Sequence, residues 1–147
     1  MLINNAISLL ARELRDTTTP YQFLDDDLYS ALIDGVDDMN LEGSQEYEVS
    51  GSGASATIIP EPGNIDKKIW ILCSAIQLLR GEKIKASATA MTISNAGGRT
   101  DLADIPAAIG SAMSDLKSRL SKAISLKHRA LTEAQMESRE KTRQVVE

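Results

Sequence analysis

The stretch at residues 64–80, NIDKKIWILCSAIQLLR, restricts the fold of this chain more than any other. Its main apolar positions are separated by steps of four, three, four and three, which is the period of an α-helix. Other apolar residues widen this stripe until little beyond the first turn is polar, and a helix of that kind is normally surrounded by other helices. We predict a buried central helix, with Asn64 as its N-cap and Gly81 as its stop. Its main stripe consists of Ile65, Ile69, Leu72, Ile76 and Leu79.

The length and composition of the chain favour one domain without disulfides or a membrane span. Charged residues at 66–68 shorten the apolar run to about a dozen residues, whereas a bilayer requires about 20. A chain of 147 residues is long enough to bury a core without metal or disulfide support. The single cysteine, Cys73, falls inside the central helix, which predicts a buried and unreactive thiol. Polar residues interrupt the apolar run after Met1, so we expect no signal peptide and a cytoplasmic protein.

Two amphipathic helices are predicted before the central one. The first covers residues 2–15, and the second begins at the three aspartates of residues 25–27. These acids are interpreted as capping and dipole-stabilising groups, because no second cluster of oxygen ligands with the spacing of a metal loop follows. The predicted core positions are Ile3, Ala6, Ile7, Leu10 and Leu14 in the first helix, and Leu28, Leu32, Val36 and Met39 in the second.

Two segments interrupt the helical pattern. Residues 42–63 hold two short extended pieces among glycines and serines, which predicts a loose hairpin or an extended excursion. Pro60 and Pro62 exclude a helix before residue 64. Residues 88–94 alternate between two sets of side chains, as in a strand, and turn residues follow. We therefore predict an extended loop between the central helix and the last one.

A long last helix is predicted at residues 106–131, with Asp104 as its cap. Beyond Leu131 the apolar period is lost, so residues 132–147 are predicted to be a frayed tail that is flexible until it docks. The predicted domain is therefore residues 1–131. The apolar stripe of this helix is Ile109, Met113, Leu116, Leu120 and Ile124, and its other faces carry Lys117, Arg119, Lys122, Lys127 and Arg129.

The two parts of the chain carry opposite charge. The net charge of −5 combines −10 over residues 1–62 with +5 over residues 63–147. Such asymmetry indicates interaction with a partner. The basic part is compatible with nucleic acid, and equally with the acidic part of a second copy of the chain.

No catalytic, cofactor-binding or metal-binding constellation is predicted. The only histidine, His128, lies between Lys127 and Arg129, which disfavour its protonation, and it has no acidic neighbour in the sequence. No cysteine lies near it for nucleophilic catalysis, and no ligand set has metal spacing. We expect a binding or structural protein rather than an enzyme.

Six segments follow one another in a recognisable order: LINNAISLL, YQFLDDDLYSALIDGV, the link with its glycines and prolines, AIQLL, ISNAGGRTDL and the long last helix. This order resembles the head–tail connector, or adaptor, proteins of tailed bacteriophages. The resemblance implies an all-α fold, namely a small bundle of four main helices with a buried central helix, two extended or hairpin-like loops and a long C-terminal helix. The link at residues 42–63 is long for that family.

The resemblance also implies partners. Connector proteins form a ring, usually of twelve copies, beneath the portal protein in the virion neck, and DNA passes through the ring without specific binding. A stopper or tail-completion protein docks on the far side, and the C-terminal segment holds the portal. The implied portal-docking residues are Arg139, Lys141, Arg143, Val145 and Val146, and the implied lumen- or stopper-facing loop holds Thr92, Ser94, Asn95, Gly97, Gly98 and Arg99.

Opposite charges at the two ends of a subunit suit head-to-tail contacts, which close into a ring when the rotation permits. We predict that Asp34, Asp37 and Asp38 of one copy face Lys117, Arg119 and Lys122 of the next. Two other functions remain as alternatives. One is a helical protein that binds nucleic acid through its basic C-terminal helix, with an affinity that falls steeply with salt. The other is a regulatory helical bundle that binds a partner protein.

Overall fold

The computed structural model of the chain describes residues 1–18, 23, 25–42, 45–95 and 104–145. Its helices are α1 (Asn4–Thr18), α2 (Asp25–Glu42), α3 (Asn64–Asn95) and α4 (Asp104–Val145). Two short antiparallel strands, β1 (Glu48–Ser50) and β2 (Thr57–Ile59), lie between α2 and α3. All four helices contribute to one buried core, so the prediction of an all-α bundle is confirmed.

Helix α3 occupies the centre of this bundle, as its apolar sequence predicts. Every residue from 69 to 76 is buried, and the Trp70 side chain is fully buried. Burial raises the pKa of the Cys73 thiol to about 12, and the negative charges of Asp38 and Glu42 raise it further. The helix begins at Asn64 as predicted, but the carbonyl of Gly63 accepts the first helical hydrogen bond, from the Lys67 N–H at 2.8 Å. Gly63, rather than Asn64, therefore occupies the N-cap position.

Helices α2 and α3 lie parallel and are joined by two side-chain hydrogen bonds. The indole Nε1–H of Trp70 donates to the backbone carbonyl of Leu32 at 2.7 Å. Two turns further along both helices, the Gln77 amide donates to Asp38 Oδ2 at 2.6 Å. The predicted inner face of α2 is confirmed, since all four of its predicted core residues are buried.

Replacing Trp70 by phenylalanine tests how much the α2–α3 contact depends on the indole. The substitution removes the donor to Leu32 and leaves space beside the new ring. A lost hydrogen bond together with an underfilled core site predicts a loss of about 2 to 3 kcal/mol in the free energy of unfolding. Urea unfolding followed by circular dichroism measures this loss. A decrease below about 0.5 kcal/mol, the range of neutral surface substitutions, would contradict the structural role given to the indole.

The predicted hairpin in the link is confirmed, and the start of the chain pairs with it. Strand β1 pairs with β2, and the Ile58 N–H donates to the carbonyl of Met1 at 2.9 Å on the other side of β2. The Ile3 N–H donates to the carbonyl of Ala56 at 2.9 Å, so residues 1–3 extend along β2 before α1 begins. This pairing explains why α1 starts at Asn4 instead of residue 2.

The prediction that the central helix stops at Gly81 is wrong, as is the strand-like assignment of residues 88–94. Helix α3 continues through both to Asn95. A glycine inside a helix costs about 1 kcal/mol relative to alanine, which packing against a partner helix can offset. That partner is α4, which contacts α3 beyond Gly81: a Cβ on Gly110 would lie 3.4 Å from Lys83 Nζ.

The last helix is longer than predicted at both ends. It starts at Asp104 and continues to Val145, which corresponds to about 63 Å at 1.5 Å per residue. Its predicted inner face is confirmed at Ile109, Met113 and Leu116, which are buried. The helix end predicted at Leu131 is wrong.

Candidate functional site

An ion pair holds α4 against the bundle near the start of α3. Lys127 Nζ lies 2.5 Å from Asp66 Oδ1, and the hydroxyl of Tyr47 donates to Asp66 Oδ2 at 2.7 Å. Asn40 holds Tyr47 in place through two hydrogen bonds with its backbone, at 2.8 and 2.9 Å. The chain of contacts therefore connects α2, the link, α3 and α4. Sequence analysis assigned Lys127 to an outer basic face, which is wrong because its side chain is only 9% exposed.

The buried cluster of Tyr47, Asp66 and Lys127 fixes the position of α4 on the bundle. Burial and the adjacent Asp66 carboxylate raise the pKa of Tyr47 far above its usual value. Tyr47 therefore remains a hydrogen-bond donor at neutral pH. Both oxygens of Asp66 are occupied, one by Tyr47 and one by Lys127. The ion pair brings the two buried charges into direct contact and fixes the level at which α4 lies along α3.

Beyond this cluster, α4 continues past the start of its partner helix. Lys127 lies opposite Asp66 in the first turn of α3, whereas Gly110 lies against Lys83, so the two helices run antiparallel. Residues 128–145 therefore extend beyond the level of Asp66 by about 27 Å at 1.5 Å per residue. Every side chain described in this segment, at residues 128–139 and 141, is exposed. We call residues 128–145 the projecting helix.

The projecting helix includes most of the residues that the family resemblance assigns to portal docking. Arg139 and Lys141 are exposed on it. The backbone at Arg143 and Val145 continues the helix, and Val146 lies outside the described residues. The exposed apolar side chains Leu131 and Met136 lie on the same segment. The loss of a regular apolar period after residue 131 predicts that the helix ends there. The helix instead continues to Val145, and its described side chains beyond Lys127 are all exposed.

The three cations predicted to contact a neighbouring copy do not share one face of α4. At 100° per residue, Lys117 and Arg119 point about 160° apart, and Lys117 and Lys122 about 140° apart. Arg119 also pairs with Glu13 of α1 inside the same chain, at 2.6 Å. Lys117 and Lys122 are exposed. A single flat contact cannot use all three cations, and Arg119 already helps to join α1 to α4.

The outer face of α2 is acidic, as predicted, and ends in an exposed leucine that the sequence analysis missed. Asp34 and Asp37 are exposed, whereas Asp38 is partly buried and accepts the hydrogen bond from Gln77. Leu41 is 85% exposed, the highest value among the exposed large apolar side chains. Its spacing from the acids is the signal that could have revealed it. The exposed positions follow helical steps of four, four, three and four, and we call them the acidic stripe: Asp26, Ser30, Asp34, Asp37 and Leu41.

A groove lies between α1 and the first turns of α3, on a surface that the sequence analysis did not single out. It has a volume of about 280 Å³. Its apolar part is formed by Leu9 and Ile71, and its cations are Arg12, Lys67 and Lys68. We call it the basic groove. Asn64 and Glu13 complete its lining, and Glu13 is compensated by its ion pair with Arg119.

The predicted lumen- or stopper-facing loop is in part helical. Thr92, Ser94 and Asn95 belong to the last turns of α3, which corrects their assignment to an extended loop. Gly97, Gly98 and Arg99 lie outside the described residues. The antiparallel course of α3 and α4 places the last turns of α3 remote from the projecting helix.

Two classes of site can be assessed within the described part of the chain. Among residues 1–18, 23, 25–42, 45–95 and 104–145, no group of three or more histidine, cysteine, aspartate or glutamate side chains is arranged to hold a metal ion. Within the same residues, no helix combines the length and apolarity needed to cross a membrane. His128 is exposed at the base of the projecting helix.

A scan against protein-family models and searches of curated proteins and solved structures found no significant match to this chain.

Proposed function

We propose that this chain is a structural subunit of a phage neck, a head–tail connector that forms a ring on the portal protein. In this role it would occupy the host cytoplasm before assembly and the virion neck afterwards. The ring, with twelve copies as in the family it resembles, would let DNA pass to a stopper or tail-completion protein without binding it specifically. The helix order of the bundle and the projecting helix support the proposal.

The projecting helix is the observation on which the proposal depends. Isolated helices of this length are marginally stable in water, because most helical stability in proteins comes from packing. Its exposed side chains make no such packing within the chain. Its only described ion pair, Arg129 to Glu133 at 3.0 Å, has side chains 78% and 63% exposed and contributes little. Contact with a partner would supply the missing packing, and this is what a connector requires of a portal-docking segment.

Truncation after Ala130 tests this function directly. The truncated chain should unfold at nearly the same temperature as the full chain, because every side chain described in the removed segment is exposed. Its attachment to the portal protein encoded in the same genome should be lost. Circular dichroism melting measures the first quantity, and co-sedimentation with portal rings measures the second.

Paired charge removal separates a specific contact from a general charge effect. Replacing Arg139 and Lys141 by serine should weaken attachment, because both are exposed on the projecting helix. Replacing Arg80 and Lys83 by serine removes the same charge from exposed positions of α3 and should not weaken attachment.

Two outcomes of the truncation experiment would contradict the docking role. If the truncated chain unfolds, the segment belongs to the core and the docking role is wrong. If it folds and still attaches, the portal contact lies elsewhere, with residues 89–102 as the next candidate.

A second function, nucleic-acid binding through α4, is favoured by one observation. Lys117, Lys122 and Arg129 are exposed on this helix. They are dispersed around it, and Asp115 and Glu133 are exposed among them, which weakens a continuous path along a phosphate backbone. A mobility-shift assay with duplex DNA distinguishes the two functions. Binding that falls steeply with salt would support this alternative, whereas the connector proposal predicts little binding.

A further inference from the structure

We infer that the acidic stripe of one copy docks in the basic groove of the next, with Leu41 inserted between α1 and α3 of the neighbour. The inference rests on the proposed function, because it names the surface through which copies would meet in the ring. It replaces the sequence-based pairing of the acidic helix with cations of α4, which are dispersed around that helix.

On the acidic stripe, the apolar side chain of Leu41 lies among negatively charged residues. Leu41 is 85% exposed at the end of α2, in a position where it makes little contact within its own chain. Asp37 lies one helical turn before it on the same stripe, and Glu42 is exposed beside it. An exposed leucine within a charged surface is typical of a side chain that becomes buried on association.

The basic groove has the complementary character. Leu9, which is 39% exposed, lies on its apolar part together with Ile71. Lys67, Lys68 and Arg12 surround these residues with positive charge. A cavity of roughly 150 Å³ accommodates a benzene ring, so the groove, at about 280 Å³, has room for the four-carbon side chain of Leu41. Charges around the contact would set its register and exclude a reversed orientation.

Leu41 lies too far from the basic groove of its own chain to fill it. Asp38 is held beside Gln77 of α3, and Leu41 lies almost one turn further in the same direction. The α3 residues of the groove end at Ile71. Because α2 and α3 are parallel, Leu41 is separated from Ile71 by about 14 Å along the α3 axis, at 1.5 Å per residue. A contact between two different patches is heterologous, and repetition of it gives a ring or an open chain.

Sedimentation velocity of the full chain over a concentration series tests this contact. The unmodified chain should self-associate. The substitution Leu41→Asp should weaken association by about tenfold or more, because it removes the buried apolar group and adds an unpaired charge to the contact. The matched control is Leu126→Asp, at a leucine that is 58% exposed on α4 and belongs to neither surface. It should associate as the unmodified chain does.

A charge exchange identifies the partner surface. Asp37→Lys and Lys68→Glu should each weaken association, since each places like charges across the contact. The double variant D37K/K68E should recover it, because the attraction is restored with its sign reversed. Both positions are exposed, and circular dichroism melting of each variant checks that the fold is intact.

Three results would overturn the inference: an unmodified chain that stays monomeric throughout the series, a Leu41→Asp variant that associates normally, or a double variant that recovers nothing. None of these affects the portal-attachment experiment, because residues 131–147 belong to neither surface. Attachment to the portal without the Leu41 contact would leave the proposed function standing. A successful charge exchange without portal attachment would leave the contact standing and remove the proposed function.

Discussion

Replacement of Gly35 by alanine is expected to lower the free energy of unfolding by about 2 kcal/mol, even though alanine is the better helix former. Gly35 lies in α2 at its closest approach to α3. A Cβ at this position would lie 2.1 Å from Ser74 Oγ and 2.9 Å from the Ser74 backbone nitrogen. The hydroxyl cannot simply rotate away, because it donates to the carbonyl of Trp70 at 2.9 Å and the backbone contact would remain.

The expected size of this effect follows from two opposing contributions. Overpacking a tight site costs about 3 kcal/mol at the upper end of the usual range. Alanine in place of glycine inside a helix returns about 1 kcal/mol. The net loss of about 2 kcal/mol corresponds to a decrease in melting temperature of about 4 to 8 °C for a chain of this size.

The chain offers a matched control at Gly81, which is also inside a helix. A Cβ there would meet no atom within 4 Å. Gly81→Ala should therefore stabilise the protein by about 0.4 to 1 kcal/mol, through helix propensity and a less flexible unfolded state. Calorimetric melting of both variants compares the two sites directly. Equal effects at Gly35 and Gly81 would show that α2 and α3 are not packed as closely as the structure indicates.

The contrast between these two glycines illustrates what the sequence can and cannot predict. Apolar periodicity predicted most of the inner-face residues of the four helices, because each face is formed by residues of one segment. One position is wrong: Ile65, on the predicted stripe of the central helix, is 39% exposed. The same local reasoning predicts that the central helix stops at Gly81. A glycine does not end a helix when packing against a partner helix stabilises the turns beyond it. At Gly35, the local sequence contains no sign of the backbone approach, because Ser74 lies on another helix.

The candidate surfaces also differ in how far the local sequence predicts them. The acidic character of α2 follows from Asp34 and Asp37, and the structure leaves both exposed. The basic groove combines Leu9 with Lys68, which are brought together only when α1 packs against α3. Local periodicity assigns only apolar side chains to the inner stripe of α4 and leaves Lys127 on an outer face. The burial of Lys127 depends on its partner, Asp66, which is about sixty residues away in the chain.

Replacement of Lys127 by methionine is expected to lower the free energy of unfolding by about 3 kcal/mol, at the lower end of the range for breaking a buried ion pair. Methionine fills much of the same space, so the loss reports mainly on charge. Asp66 would keep its hydrogen bond from Tyr47 but would remain buried without a cation, at 15% side-chain exposure. Arg129→Met is the matched control, since it removes an exposed ion pair two residues away and should cost at most about 0.5 kcal/mol.

A second substitution separates the unpaired charge from lost packing. Adding Asp66→Asn to Lys127→Met removes the unpaired carboxylate and keeps an acceptor for Tyr47. The double variant should regain most of the lost stability, because a buried pair replaced as a whole is often nearly neutral. Urea unfolding of the two single variants and the double variant gives the coupling energy. If the double variant is as unstable as the two single losses added together, Lys127 acts through its methylene packing and the ion pair contributes little.

Lys127→Met is also expected to weaken the proposed docking of the projecting helix at temperatures where the bundle is still folded. Lys127 is the last buried side chain described on α4, so the Asp66 pair lies at the base of the projecting helix. Without this ion pair, the direction of residues 128–145 relative to the bundle is less restricted, and the proposed portal contact would have to offset that additional freedom. Co-sedimentation with portal rings should show weaker attachment for Lys127→Met than for Arg129→Met. Equal attachment of these two folded variants would show that the buried pair stabilises the bundle without orienting its docking segment.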